Sequence, residues 1–89
     1  MIPLDEIRAA AERARPYVRR TPLHPLDGGR WLKLELLQPT GSFKVRGFLA
    51  AALAVPPERR ARGLLTVSAG NAALACAYVR SSWSAARGT

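Results

Sequence analysis

The order of apolar and polar residues predicts a mixed fold of helices and strands. Apolar positions recur at helical spacing near the start and predict a helix over residues 4–18, which Pro16 ends or kinks. Alternation over residues 31–35 predicts a short strand. A nearly continuous apolar run over residues 64–68 predicts a second strand, buried on both faces as in a parallel sheet.

Alanine-rich apolar segments follow both predicted strands. Residues 44–55 are predicted to form a helix that Pro56 and Pro57 stop, and a short helix after Pro57 is predicted to end at Gly63. Residues 72–80 are predicted to form the last helix. Strands that alternate with helices are typical of a parallel sheet with right-handed crossovers. The predicted fold class is therefore α/β, as an incomplete parallel-sheet unit.

Two segments show no regular spacing of apolar residues. Residues 19–30 contain two prolines and the Asp27-Gly28-Gly29 turn signal, so we expect a loop there. Residues 81–89 are expected to be frayed or disordered. With 89 residues, the chain is long enough for one domain at most.

Composition limits the classes of partner. The formal net charge of +8 raises the possibility of a nucleic-acid footprint, but the basic residues are scattered in short groups, which favours a solvated surface. A single cysteine and a single histidine exclude an intrachain disulfide and a Cys/His zinc site, and a reducing, cytoplasmic setting fits best. The acidic start is unlike a signal peptide, and no apolar stretch is long enough for a membrane span.

Candidate chemistry is concentrated in residues 38–47 and residues 68–71, each placed between a predicted strand and a predicted helix. Because parallel strands present their carboxyl ends at one edge of the sheet, we expect both segments to face one site. The amine of Lys44 can bond to an aldehyde cofactor. Phe43 offers a ring to pack beside that cofactor, and Asn71 can donate a hydrogen bond to an oxygen.

Each of these residues also has a plainer interpretation. A lone lysine at the start of a helix is usually solvated, and Asn71 could equally cap the following helix. His24 is interpreted as a loop residue, Cys76 as part of the core, and Trp31 as a packing residue.

Four ordered segments together resemble one enzyme family. They are Arg20-Thr21-Pro22-Leu23, Leu32-Lys33-Leu34-Glu35, the segment from Gln38 to Gly47 with its Gly-Ser-Phe-Lys-x-Arg-Gly core, and Thr66-Val67-Ser68-Ala69-Gly70-Asn71. They resemble the pyridoxal-phosphate-dependent threonine/serine dehydratase family, which includes serine racemase. The resemblance implies the tryptophan-synthase-β-like fold of the fold type II pyridoxal-phosphate enzymes, and it covers most of the chain.

The resemblance also implies a role for each matching residue. Lys44 would hold pyridoxal 5'-phosphate and later move the α-proton, while Phe43 would line the cofactor ring. Asn71 would bond the phenolic oxygen of that ring, and Ser68, Gly70 and Asn71 would hold the substrate carboxylate. The implied reaction is that of a lyase in amino-acid metabolism: elimination of water from threonine or serine, giving a 2-oxo acid and ammonia.

The resemblance sets expectations for partners as well. It implies a small amino-acid substrate and full-length relatives that are homo-oligomers. Because the basic residues are scattered and the apolar stretches are short, we expect no nucleic acid and no membrane as partners. Ala72 stands where the family usually has histidine, which leaves the substrate identity open. Ala69 stands where racemases have a second serine, which favours dehydratase chemistry over racemisation.

The resemblance ends before the family pattern does. The glycine-rich phosphate loop and the partner of the pyridine nitrogen, which the family carries further on, are absent from these residues. We therefore expect residues 1–80 to be the N-terminal part of a pyridoxal-phosphate-dependent dehydratase-like domain. Residues 81–89 are expected to be a tail outside the family pattern, at the end of a truncated or frame-shifted product. The isolated chain is expected to be inactive. Two alternatives stay open: another fold type II enzyme (serine racemase-like or threonine synthase-like), and a small basic binding module.

Overall fold

The computed structural model describes the backbone of residues 1–86 and the side chains of residues 1–82. Within that range the chain folds into four α-helices, three short 3₁₀ turns and one two-stranded sheet. In chain order these are α1 (Leu4–Ala14), a 3₁₀ turn (Arg15–Tyr17), β1 (Leu23–Pro25), a 3₁₀ turn (Asp27–Gly29), β2 (Trp31–Lys33), a 3₁₀ turn (Glu35–Leu37), α2 (Lys44–Ala52), α3 (Pro57–Arg60) and α4 (Asn71–Ala86).

Helix α1 begins at Leu4, as predicted, but ends at Ala14, four residues before the predicted end at residue 18. Asp5 and Glu6 lie in its first turn and Arg13 in its last, so the side-chain charges complement the helix dipole. The α-helix ends at Ala14, and Pro16 lies in the 3₁₀ turn that follows, as the prediction for Pro16 required. Ala14 is the one residue of α1 that is buried, and it packs against the core.

The sheet differs from the prediction. Strand β2 was expected to join a parallel sheet, but it pairs antiparallel with β1, in the register Leu23 to Lys33 and Pro25 to Trp31. The segment that was predicted as loop therefore contains a strand. Gly28 and Gly29 turn the chain between the two strands with positive φ angles of 71° and 72°. Such a local hairpin closes a short loop, which costs less entropy than pairing with a distant segment.

The predicted second strand is also wrong for this structure. Residues 64–68 form no regular element, and in the part of the chain that the structure describes the sheet has only two strands. Leu65 and Val67 are 95% and 96% exposed, whereas burial on both faces was expected. An extended segment gains stability only when neighbouring strands accept and donate its backbone hydrogen bonds, and no described strand lies beside this one.

Packing of α2 against α4 makes the core, with a contribution from α1. The buried apolar side chains of the described residues are few and mostly small, and they come from these three helices: Ala14, Val45, Leu49, Ala52, Ala75 and Val79. The hydroxyl of Tyr78 donates a hydrogen bond to the carbonyl of Tyr17, 2.5 Å away, and so ties α4 to the turn after α1. The start of α2, where the candidate lysine lies, is therefore held by helix packing.

The remaining helices agree with the prediction in part. Helix α3 begins at Pro57, and Gly63 adopts a φ of +81° shortly after it ends, as expected for a stop residue. Helix α4 continues to Ala86, past the predicted end at residue 80. Residues 81–86 are therefore helical rather than frayed, and residues 87–89 lie outside the described residues.

Candidate functional site

The turn before α2 places Lys44 at the first residue of that helix. Gly41 adopts a φ of +81°, and its backbone N–H donates to the carbonyl of Gln38 at 2.8 Å. The hydroxyl of Ser42, which is buried, accepts a hydrogen bond from the backbone N–H of Lys44 at 3.4 Å. Because the next residue, Val45, is fully buried, Lys44 is turned toward the surface, where its side chain is exposed.

Lys44 lines an open hollow of about 390 Å³ on one side of α2, together with Phe43, Gly47, Phe48 and Ala51. The ammonium nitrogen of Lys44 lies 5.6 Å from the centre of the Phe43 ring, within the range of a cation–π contact. Gly47 has no side chain, and an added Cβ there would meet no atom within 4 Å. The hollow thus combines one amine with aromatic and small apolar walls.

These residues fit the reactive end of pyridoxal phosphate, the cofactor that the resemblance implies. A primary amine is the group that bonds to its aldehyde, and apolar and aromatic side chains can pack against a flat ring. Phe43 is 62% exposed, so much of its ring surface is accessible to a ligand. The hollow offers no second cation to hold a phosphate group, so the fit is to the aldehyde and ring alone.

The second predicted segment forms the entry to α4. Asn71 is the first residue of that helix, and the backbone N–H of Gly70 donates to the hydroxyl of Ser68 at 3.1 Å. The carbonyl of Gly70 accepts hydrogen bonds from Ala73 and Leu74, at 3.0 and 3.2 Å. Ser68, Gly70 and Asn71 are all exposed, as a substrate-binding turn requires.

The structure places both predicted segments at helix starts but does not join them. Among residues 1–86, no hydrogen bond or ion pair links the side chain of Lys44 to Ser68 or Asn71. The meeting of Lys44 with this turn therefore stays a prediction, as do the roles of Phe43 and Gly70.

The structure builds a polar cluster close to Lys44 that was not predicted from the sequence. Its members are Thr21, Glu35, Gln38 and Arg46, and we call it the Glu35 clamp. The carboxylate of Glu35 accepts hydrogen bonds from Thr21 at 2.6 Å and from Gln38 at 3.2 Å. Arg46 donates to both carboxylate oxygens, through Nε and, at 3.1 Å, through a terminal nitrogen. Thr21 and Gln38 are only 4% and 3% exposed.

The two charged groups of the Glu35 clamp, Glu35 and Arg46, stabilise each other in the ionised form. Hydrogen bonding by Arg46, supported by Thr21 and Gln38, lowers the pKa of Glu35 from 4.5 to about 2, although burial opposes the shift. The hydrogen bond to Glu35 raises the pKa of Arg46. The pair therefore stays ionised at neutral pH, and Glu35 is fixed by four hydrogen bonds.

A signal for the clamp was present in the sequence. Glu35, Gln38 and Arg46 all lie in the segments that carry the family resemblance, close to Lys44. Polar residues interleaved with apolar ones around a candidate lysine could have suggested a buried network. Their pairing could not be deduced, because Thr21 and Arg46 lie 14 and 11 residues from Glu35.

The described part of the chain shows neither a metal-ligand group nor a membrane-spanning helix. In the described part of the chain, no group of three or more His, Cys, Asp or Glu side chains is placed to hold a metal ion. Likewise, no helix within residues 1–86 is long and apolar enough to cross a membrane.

Comparison with known proteins connects this geometry to a family. Residues 14–81 match the family model described as "Pyridoxal-phosphate dependent enzyme". Similar proteins include phenylserine dehydratase of Ralstonia pickettii, 40% identical over 84% of this chain and 25% of its own, and L-threonine ammonia-lyase of Geobacter sulfurreducens, 40% identical over 88% and 21%. Serine racemase of Arabidopsis thaliana is 40% identical over 78% of this chain and 23% of its own.

The chain spans about a quarter of the length of these curated relatives. No solved structure matches it significantly. The family match covers α2 with Lys44, the Glu35 clamp and the turn before α4, which are the parts on which the resemblance rested. The resemblance is thus confirmed, and the chain belongs to the family of pyridoxal-phosphate-dependent enzymes.

Proposed function

We propose that this chain is the N-terminal part of a pyridoxal-phosphate-dependent ammonia-lyase of the threonine/serine dehydratase type. Its reaction is the elimination of water from a small hydroxy amino acid, followed by hydrolysis of the resulting imine, which together yield a 2-oxo acid and ammonia. One observation carries the proposal: Lys44, at the first residue of α2, extends its amine over an apolar hollow beside an aromatic ring. Relatives that are named as dehydratases and ammonia-lyases support the reaction class.

The residues around the hollow have distinct tasks in this proposal. Pyridoxal phosphate, when bound, supplies the electron sink for chemistry at the substrate α-carbon. Lys44 would hold the cofactor through its amine and would move the α-proton, and Phe43 would pack against the ring. Asn71, at the start of α4, would offer its side-chain amide as a hydrogen-bond donor to the phenolic oxygen of the cofactor.

The exposed turn before α4 binds the substrate carboxylate. Backbone N–H groups at the start of a helix are suited to anions, and Ser68, Gly70 and Asn71 lie at that position. Ala69 carries no hydroxyl that could act as an acid or base on the opposite face, which supports elimination over racemisation.

The family fold accounts for the exposed segment before α4. In a longer protein of this family, residues 64–67 would pair as a buried parallel strand, and full-length molecules would associate as homo-oligomers in the cytoplasm. The extreme exposure of Leu65 and Val67 supports that interpretation. Without the covering strands and a phosphate loop, the 89-residue chain by itself is expected to be inactive.

Selective labelling tests the proposal. The chain has two lysines, Lys33 and Lys44, so each serves as a control for the other. The purified chain is incubated with pyridoxal phosphate, reduced with borohydride and digested, and the modified peptides are quantified by mass spectrometry. The proposal predicts modification mainly at Lys44, absent in Lys44→Ala and retained in Lys33→Ala. Equal labelling of both lysines would contradict it.

A further inference from the structure

We infer that the Glu35 clamp positions Lys44, by locking the first turn of α2 to the two segments that flank the hairpin. This inference rests on the proposed function, because it assigns a purpose to the lysine. Nothing in the clamp contacts the hollow that Lys44 lines, so its members are positioning residues rather than catalytic ones.

The clamp ties three separate segments together. Gln38 accepts a hydrogen bond from the backbone N–H of Arg19 at 2.9 Å and donates one to the Arg19 carbonyl at 2.8 Å, as a paired strand would. Thr21 and Gln38 both bond to Glu35, and Arg46 donates to Glu35 from α2. The segment before β1, the turn after β2 and the first turn of α2 are therefore held by one carboxylate.

The path from the clamp to Lys44 is short. Gln38 is buried, and its carbonyl accepts the backbone N–H of Gly41, which starts the turn into α2. On the far side, Arg46 is the third residue of α2, and its backbone N–H bonds to the carbonyl of Phe43 at 3.1 Å. Lys44 lies between these two fixed points, and the buried side chain of Val45 sets the rotation of the helix.

The ion pair between Glu35 and Arg46 offsets an unfavourable positive charge at the start of α2. A cation in the first turn of a helix faces the positive end of the helix dipole, so Arg46 by itself disfavours the start of α2. Glu35 offsets that charge and supplies a bidentate acceptor. Without the carboxylate, Arg46 would be repelled from the helix start, and Gln38 and Thr21 would lose an acceptor in a buried place. The turn that carries Lys44 would then loosen.

Amide hydrogen exchange in the cofactor-free chain tests this directly. In Glu35→Gln, we expect the amides of Gly41 and Arg46 to exchange about tenfold faster than in the unchanged chain, because a charge-assisted hydrogen-bond network is lost. The matched control is Glu12→Gln, which removes an exposed ion pair with Arg15 and should leave both amides unchanged. Equal exchange of these amides in Glu35→Gln and the unchanged chain would overturn the inference.

A milder variant keeps the test decisive if Glu35→Gln unfolds. Arg46→Lys retains the charge but cannot make two parallel hydrogen bonds, so the same amides should exchange several-fold faster while helical circular dichroism is retained. Unchanged exchange in Arg46→Lys, after loss of structure in Glu35→Gln, would show that the clamp supports the fold without controlling the turn, and would overturn the inference.

Labelling then separates this inference from the proposed function. In Glu35→Gln or, if that variant unfolds, in Arg46→Gln, which adds no amine, the rate at which pyridoxal phosphate followed by borohydride modifies Lys44 should fall several-fold, whereas in Glu12→Gln it should not change. Faster exchange with an unchanged Lys44 rate overturns the positioning role and leaves the proposed function intact. Absence of preferential Lys44 labelling in the unchanged chain overturns both, whatever the exchange result.

Discussion

At the scale of single residues, the partners of Glu35 decide its behaviour. In the sequence it is an acidic residue at the end of a short strand-like pattern, and in the structure it is the centre of the clamp. Lys44 and Asn71 could be placed from the sequence because helix starts depend on neighbouring residues. The role of Glu35 could not be predicted, because its partners come from segments that only the folded chain brings together.

The lowered pKa of Glu35 predicts a specific loss of stability in acid. Its carboxyl has a pKa of about 2 in the folded chain and near 4.5 when unfolded. The stabilising contribution is therefore complete above about pH 4.5 and is lost as pH falls toward 2. Glu35→Gln should lower the free energy of unfolding at pH 7 by about 1–3 kcal/mol and should remove this part of the acid dependence. Urea unfolding at pH 7 and pH 3 measures both effects.

Glu12→Gln provides the comparison for that experiment. Glu12 pairs with Arg15 within 2.5 Å, but both side chains are mostly exposed. We expect its replacement to change stability by less than about 1 kcal/mol and to leave the acid dependence as it is. A Glu35→Gln chain that loses as much stability between pH 7 and pH 3 as the unchanged chain would contradict the assigned pKa.

At the scale of elements, prediction succeeded where the determinants were local. Pro16 and Pro57 marked helix boundaries, and the apolar, alanine-rich residues after Lys44 marked α2. The prediction of a strand over residues 64–68 failed because a strand needs hydrogen-bonding neighbours, and an apolar sequence alone does not supply them. The β1–β2 hairpin was missed because Pro22 and Pro25 favoured a loop, although Pro25 can occupy the edge of a two-stranded sheet.

Two glycines should respond oppositely to alanine. Gly63 has a φ of +81°, which an alanine adopts at a cost of about 1–2 kcal/mol, so Gly63→Ala should destabilise the chain. Gly47 lies inside α2 with no atom within 4 Å of an added Cβ, so Gly47→Ala should stabilise it by up to about 1 kcal/mol. Thermal unfolding followed by circular dichroism would show the two shifts; shifts of the same sign would contradict the backbone described here.

The α2–α4 packing predicts another contrast. Leu49 is 0% exposed in the core, and Leu49→Ala should cost about 2–5 kcal/mol, enough to abolish the helical signal of so small a protein. Leu74 on α4 is 56% exposed, and Leu74→Ala should leave that signal nearly unchanged. Equal losses in far-ultraviolet circular dichroism would show that α2 and α4 do not pack as described.

At the scale of the whole molecule, the chain is open. Its radius of gyration is 14.5 Å, whereas a compact domain of this length has roughly 12 Å. The buried core is small, and large apolar side chains such as Leu65 and Val67 lie in solvent. The length of the sequence limited the chain to one domain at most, but it could not show how little apolar surface these residues bury against one another.

Exposed apolar surface predicts self-association. We expect the chain to associate as its concentration rises, because contact between copies removes Leu65 and Val67 from water. Replacing both with lysine should reduce association without lowering helical content, since neither side chain lies in the core. Sedimentation velocity over a concentration series measures this. The control is a chain in which Arg59 and Arg62 are replaced with lysine. This control chain should associate like the unchanged chain.

We propose that Lys44 and the turn before α4 form one site. The most direct test is a nuclear magnetic resonance comparison of the chain before and after pyridoxal phosphate is fixed to Lys44 by borohydride. If the two segments form one site, the amide signals of the Gly70 backbone and the Asn71 side chain should shift, while the backbone amide signals of Glu12 and Gly63 should not. Modification of Lys44 that leaves Gly70 and Asn71 unshifted would contradict the claim.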